Sequence, residues 1–109
     1  MVSYWVRYRG KAADPAAFVA YYEKTHSPIL RRFPGIRSLT LHTPVDFRDP
    51  FQVHGGDTML LAQMSFDSPA ELNLGLASEA RKVARDDFQR FPDFQGDVMH
   101  EALEARLIF

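Results

Sequence analysis

The spacing of apolar residues divides the chain into strands and helices. Val2 to Arg9 alternates and is rich in Val, Tyr and Trp, which predicts a strand. Val2, Tyr4, Val6 and Tyr8 share one face, and Ser3, Trp5, Arg7 and Arg9 the other. Gly10 to Ala13 reads as a turn. Asp14 before Pro15 supplies an N-cap and a first-turn proline. The helix opened there runs toward His26. At about 100° per residue, Phe18, Tyr22, His26 and Ile29 fall on one side, with Tyr21 and Thr25 at its edge. Pro28 has no backbone N–H and disfavours helix at Ser27, so a kink or restart is expected there. Pro34-Gly35 closes the segment.

Ile36 to Thr43 predicts a second strand. Arg37, Leu39, Leu41 and Thr43 form a face apolar enough to meet helices, and Ile36, Ser38, Thr40 and His42 form a mixed one. Pro44 to Gly56 is a long loop. Thr58 to Phe66 is nearly all apolar and reads as a strand buried on both faces. Ser68-Pro69-Ala70-Glu71 is a capping box that opens a second helix. Gly75 is expected to interrupt it and Ser78 to restart it. Ala80, Val83, Ala84, Asp87, Phe88 and Phe91 continue a helical stripe. Asp97 to Phe109 alternates again, with Val98, His100, Ala102 and Glu104 on one face and Met99, Glu101 and Leu103 on the other.

The order β-α-β, loop, β-α-β is the split βαβ, or ferredoxin-like, pattern of an α+β domain spanning residues 1–109. Two helices then cover one face of a four-stranded antiparallel sheet. The uncovered face is expected to carry Ser38, Thr40, His42, His100, Ala102 and Glu104, with aromatic residues from the first strand. An apolar open face usually finds a partner, and a symmetric dimer stacking two sheets would cover it. A ligand cavity would then lie between the sheets.

Composition narrows the functional classes. A hydrophobic content of 46% and a charged content of 25% over 109 residues describe one globular domain. The net charge of −1 supplies no long-range pull toward nucleic acid or anionic membranes. With no cysteine, disulfides, thiolate chemistry and Cys-type zinc sites are excluded. Val2 to Tyr8 is too short for a signal peptide and runs into charges, and no apolar run reaches the length of a membrane span. A cytoplasmic protein with no membrane or nucleic-acid partner is expected. Aromatic residues make up 13%, enough to fill a core or line a pocket.

The segment Tyr21, Tyr22, His26, Pro28, Ile29, followed by Pro34, Gly35, Ile36 and Arg37, resembles the EthD family of dimeric α+β barrel proteins. Gly56 through Phe66-Asp67-Ser68, with a helix directly after, is similar to the same family, so the likeness covers nearly the whole chain. The loop from Val45 to Gly55 looks particular to this protein. The resemblance implies a ferredoxin-like protomer in a barrel-forming homodimer. It implies relatives that act on small, often aromatic or lactone-type molecules, as isomerases, cyclases or cofactor-free monooxygenases. The motif histidine of such proteins maps onto His26.

No Gly-x-Gly-x-x-Gly follows a strand, and no Walker loop, Gly-x-Ser-x-Gly elbow or His-Glu-x-x-His is present. What remains is acid–base chemistry that calls for no cofactor or metal. His26 is the expected proton-transfer group, although a satisfied core histidine fits the same helix position. Tyr22, one turn earlier, could donate to a developing oxyanion. Tyr4, Phe18, His42, His100 and Glu104 are the expected pocket residues. Convergence of His26, His42 and His100 would allow a metal site, but no spacing requires it. A non-catalytic binder or carrier, or a haem- or metal-using relative, are the alternatives to an enzyme.

Overall fold

The strand read at the start of the chain becomes the centre of the fold. A computed structural model describes all residues from Met1 to Phe109. β1 (Val2–Ala12) pairs antiparallel with β3 (Thr58–Phe66) on one side and β4 (Phe94–Glu104) on the other, and β2 (Ser38–His42) extends the sheet beyond β3. The order is β2-β3-β1-β4. This is the ferredoxin-like arrangement, in which the central strands come from different halves of the chain. The molecule measures 43 × 38 × 20 Å, and its short dimension is that of one helix layer on one sheet.

The alternation of β1 decides which sheet face meets the helices. Val2, Tyr4, Val6 and Tyr8 stand opposite Phe66, Met64, Ala62 and Leu60, and all eight are buried. Leu39 and Leu41 join this face from β2. Ser3, Trp5 and Arg7 point the other way, with Ser38, Thr40 and His42. β4 corrects the sequence reading. His100 pairs with Val6, Ala102 with Tyr4 and Glu104 with Val2, so these three belong to the helix-facing side and not to the open face with His42. Alternation groups the residues within one strand, but only the register against β1 assigns the group to a side. β4 also begins three residues earlier than Asp97 and ends at Glu104, leaving residues 105–109 exposed beyond it.

The first helical segment has three parts. α1 (Pro15–Tyr21) starts at Asp14, whose carboxylate accepts from the Ala17 N–H at 3.1 Å. A π-helical turn, Tyr22–His26, follows, and α2 (Ser27–Leu30) completes the segment. Pro28 explains the wide turn. The Ser27 N–H reaches back to the Tyr22 carbonyl, and Pro28 has no N–H to offer Glu23. The Ser27 hydroxyl donates to the Glu23 carbonyl instead. The consequence is a new phase. Phe18, Tyr22, His26 and Leu30 are buried at intervals of four residues, a spacing that drifts by about 40° per step in a regular helix. The extra width absorbs that drift. Leu30 therefore takes the buried place expected of Ile29, which is only partly covered.

α3 (Pro69–Leu76) and α4 (Glu79–Asp87) are capped by Ser68 and Ser78, which accept from the Glu71 and Arg81 N–H groups. The expected interruption falls between Leu76 and Glu79, one residue past Gly75, and Ser78 restarts the helix. Gly75 lets α3 approach the Phe66 ring, which a side chain there would meet at 3.0 Å. A short 3-10 turn, Phe88–Arg90, leads toward β4.

Gly10 and Gly96 face each other across β1 and β4 with φ of +136° and +155°. A methyl group on Gly10 would strike the Gln95 carbonyl, and one on Gly96 the Arg9 carbonyl. Both strands thus cross without side chains at the end of the sheet nearest Phe94. Gly10→Ala is expected to cost roughly 1–3 kcal/mol of stability through backbone strain. Urea unfolding of the variant beside wild type checks this, and an unchanged midpoint would refute it.

Candidate functional site

The phase set by the π-helical turn brings His26 against α4. His26 Nδ1 lies 2.9 Å from Asp87 Oδ2, and the Tyr21 hydroxyl donates to Asp87 Oδ1 at 2.7 Å. His26 is 6% exposed and Asp87 5%. Burial raises the Asp87 carboxyl pKa, but the bonds from His26 and Tyr21 outweigh this and leave it below the ordinary value. Burial lowers the His26 pKa, and Asp87 offsets only part of the effect. At neutral pH Asp87 is therefore ionised and His26 neutral. An ionised carboxylate only accepts, so Nδ1 must carry the proton and Nε2 the lone pair. An acidic residue that fixes a histidine's tautomer and orientation in this way is a recurrent arrangement in acid–base sites.

Nε2 has somewhere to act. His26 lines a cleft of about 430 Å³ between the sheet and the helices, on the β1–β4 side. No group of the protein bonds Nε2, and it is not sealed off: the single sealed side-chain polar atom without a partner is Trp5 Nε1. The same holds for the hydroxyls of Tyr4, Tyr8 and Tyr22, which also line the cleft. The Tyr22 ring packs edge-on to His26 at 4.8 Å between centroids, and Phe91 packs at 4.7 Å from another side. Burial raises the pKa of the Tyr8 and Tyr22 hydroxyls, strongly so for Tyr22, and both stay protonated donors across the neutral range. The wall is mainly apolar, with a few convergent polar groups, the usual makeup of a small-molecule site.

The structure divides the expected pocket residues. Tyr4 and His100 line the cleft with His26 and Tyr22. Phe18 does not. It is fully buried, with Tyr8 at 5.4 Å and Phe91 at 5.2 Å between ring centroids, and serves as core. His42 lies on the opposite face of the sheet, stacked on Trp5 and bonded to Gln63 at 3.0 Å. Glu104 is exposed at the far end of β4 and is held by Arg106. With His42 across the sheet, the three histidines do not converge, and no group of three or more His, Asp or Glu side chains is placed to hold a metal ion. The cleft also lies beneath the helices rather than between stacked sheets.

Asp87 was missed as a site residue, together with Tyr8, Arg81 and Arg85. Its signal was available: a carboxylate in the apolar stripe of Ala80, Ala84 and Asp87 cannot be buried without a partner. Its being matched to His26, 61 residues away, depends on the fold.

The architecture is that of a ferredoxin-like α+β protein with a cleft between its layers. The sequence matches the EthD domain over residues 11–95, and the chain belongs to the EthD family. An EthD family protein from Bacillus halodurans has a similar structure, with a TM-score of 0.76, 22% identity, and coverage of 97% of this chain and 99% of that one. SnoaB, a cofactor-independent oxygenase from Streptomyces nogalater, superposes with a TM-score of 0.62 at 17% identity, covering 97% and 93% of the two chains. A dimeric ferredoxin-like protein of unknown function from Bacteroides fragilis gives 0.64 at 9% identity, with 95% of each chain covered. At these identities the likeness establishes the fold alone. Comparison with curated proteins returned no match. No helix is long and apolar enough to cross a membrane.

The depressed pKa of His26 has a stability consequence. The unfolded chain takes up a proton near the ordinary value of 6.5, before folded His26 does. Stability is therefore full above that value and falls as the pH drops below it, until His26 itself protonates. Asp87 adds a second loss below its ordinary 3.8. Urea titrations from neutral to mildly acidic pH should show this decline, and H26Q should reduce it. His100, whose pKa is lowered by burial and then by Arg81 and Arg85, carries part of the remainder. An equal slope in H26Q would contradict the assignment.

Proposed function

We propose that this protein binds and converts a small, partly apolar organic molecule, aromatic or lactone-type, by cofactor-independent proton transfer. The observation that carries the reading is the neutral His26. Asp87 holds its Nδ1, no group of the protein bonds its Nε2, and the residue lines an aromatic cleft. In this reading His26 is the base that removes a proton from carbon or oxygen and returns it as an acid. Tyr22 donates to the oxygen on which charge develops. Tyr4 and His100 contact the ligand, and Asp87 and Tyr21 position the imidazole. Isomerisation, cyclisation and oxygenation of an activated enol all begin with such a step. The kinship in fold with a protein described as a cofactor-independent oxygenase supports this class without choosing among its members.

A panel of enolisable aromatic ketones, quinols and unsaturated lactones tests the reading through solvent-deuterium exchange and product formation. H26Q is expected to remain folded and to lose about 10²- to 10⁴-fold in rate. Wild-type rates in H26Q would refute a catalytic role. Binding by wild type with neither exchange nor turnover across the panel would favour a carrier.

A homodimer belongs to the same proposal. The open sheet face holds the sealed Trp5 Nε1 without an acceptor, and Met99 and Leu103 lie half exposed beside it. A second sheet stacked there covers the apolar area. Sedimentation equilibrium should return twice the protomer's 12.5 kDa, and Trp5→Lys should shift it toward monomer. A monomeric wild type at micromolar concentration would contradict this.

A further inference from the structure

α4 presents to the cleft two guanidinium groups that no carboxylate of the protein neutralises. Arg81 and Arg85 are four residues apart, so they project from the same side of the helix, and both line the cleft. The acids of α4 are committed elsewhere. Glu79 pairs with Lys82 at 3.6 Å, Asp87 with His26 at 2.9 Å, and Asp86 with Arg90 at 3.3 Å. The protein's other ion pairs, formed by Arg9, Arg37 and Arg106, do not involve Arg81 or Arg85 either. Their charge is felt inside the cleft. After burial, these two cations are what lowers the His100 pKa, and Arg85 opposes the burial that raises Tyr8.

The cleft therefore combines two kinds of lining. Tyr4, Tyr8 and Tyr22 make it aromatic and phenolic, and Arg81 and Arg85 of α4 make it cationic. A neutral guest would cover the guanidiniums without replacing the water they lose. A carboxylate would replace it with charge-assisted bonds, bidentate where the planes match.

We propose that the ligand of this cleft is an organic anion: a flat, unsaturated or aromatic body bearing a carboxylate or an ionised enol or phenol, held through its negative charge by Arg81 and Arg85. The proposal rests on the reading of the cleft as the binding site and adds the charge of what it takes. The anion is anchored at α4, and the apolar body packs on the aromatic wall that His26 shares. The same positive field lowers the energy of an enolate that forms when His26 removes a proton from carbon.

The test uses 2-naphthoate and its uncharged counterpart 2-naphthamide, which have the same ring system. Affinity is read by titration calorimetry at low and moderate salt, and location by amide chemical-shift changes around His26, Phe88 and Val98. Wild type is expected to bind naphthoate at least about tenfold more tightly than naphthamide, with a preference that shrinks as salt rises. R81Q/R85Q should abolish the preference by weakening naphthoate binding. Naphthamide bound in the cleft as tightly as naphthoate would overturn the anion proposal and leave the cleft standing. So would a preference that survives in R81Q/R85Q. Failure of both probes to bind there would overturn both the proposal and the reading beneath it.

Discussion

The bond between His26 and Asp87 is the contact on which the rest of the site depends. It joins a π-helical turn early in the chain to the last residue of α4, and it does so almost without water. A buried carboxylate is tolerated only with donors, and Asp87 has two, from His26 and Tyr21. The same contact settles the chemistry of the imidazole, because an ionised Asp87 admits one tautomer. Tertiary structure and reactivity are here consequences of one hydrogen bond. α4 cannot shift along the first helical segment without breaking it, and the His26 ring cannot flip while it lasts.

Much of this architecture was legible in the residues. Alternation in β1 gave both of its faces. Asp14, Ser68 and Ser78 marked helix starts that the structure places at the same positions. These signals are local, so a single sequence carries them. His26 stood out because an imidazole in an apolar stripe needs a partner or a task. The partner was hidden for the opposite reason: Asp87 lies in a different helix, and only packing brings the two together. The exchange of Ile29 for Leu30 has a comparable origin. Pro28 signalled a disturbance, but whether a helix answers a missing donor with a kink or with a wider turn depends on what its neighbours require. Here the core requires a residue every four positions.

The errors on β4 show where pattern reading stops. Val98, His100, Ala102 and Glu104 were grouped correctly and assigned to the wrong side of the sheet. The two faces of β4 have similar polarity, so composition could not orient them. Gly96 is inside the strand and opposite Gly10. Orientation mattered, since it moved His100 into the cleft with His26 and left His42 with Trp5 on the face where a second protomer would stack. The cleft thus lies on the helix-covered side of the sheet and leaves the other face open. In this chain the lining combines phenolic side chains with the cations Arg81 and Arg85.

The central claim is that His26 is a neutral base, with Asp87 on Nδ1 and a free lone pair on Nε2. Nitrogen-15 chemical shifts of the labelled imidazole at pH 7.5, read through couplings to its carbon-bound protons, measure this directly. The account predicts a pyrrole-type Nδ1 bearing the proton and a pyridine-type Nε2. Protonation at Nε2, or an imidazolium that persists above the ordinary histidine value of 6.5, would contradict it.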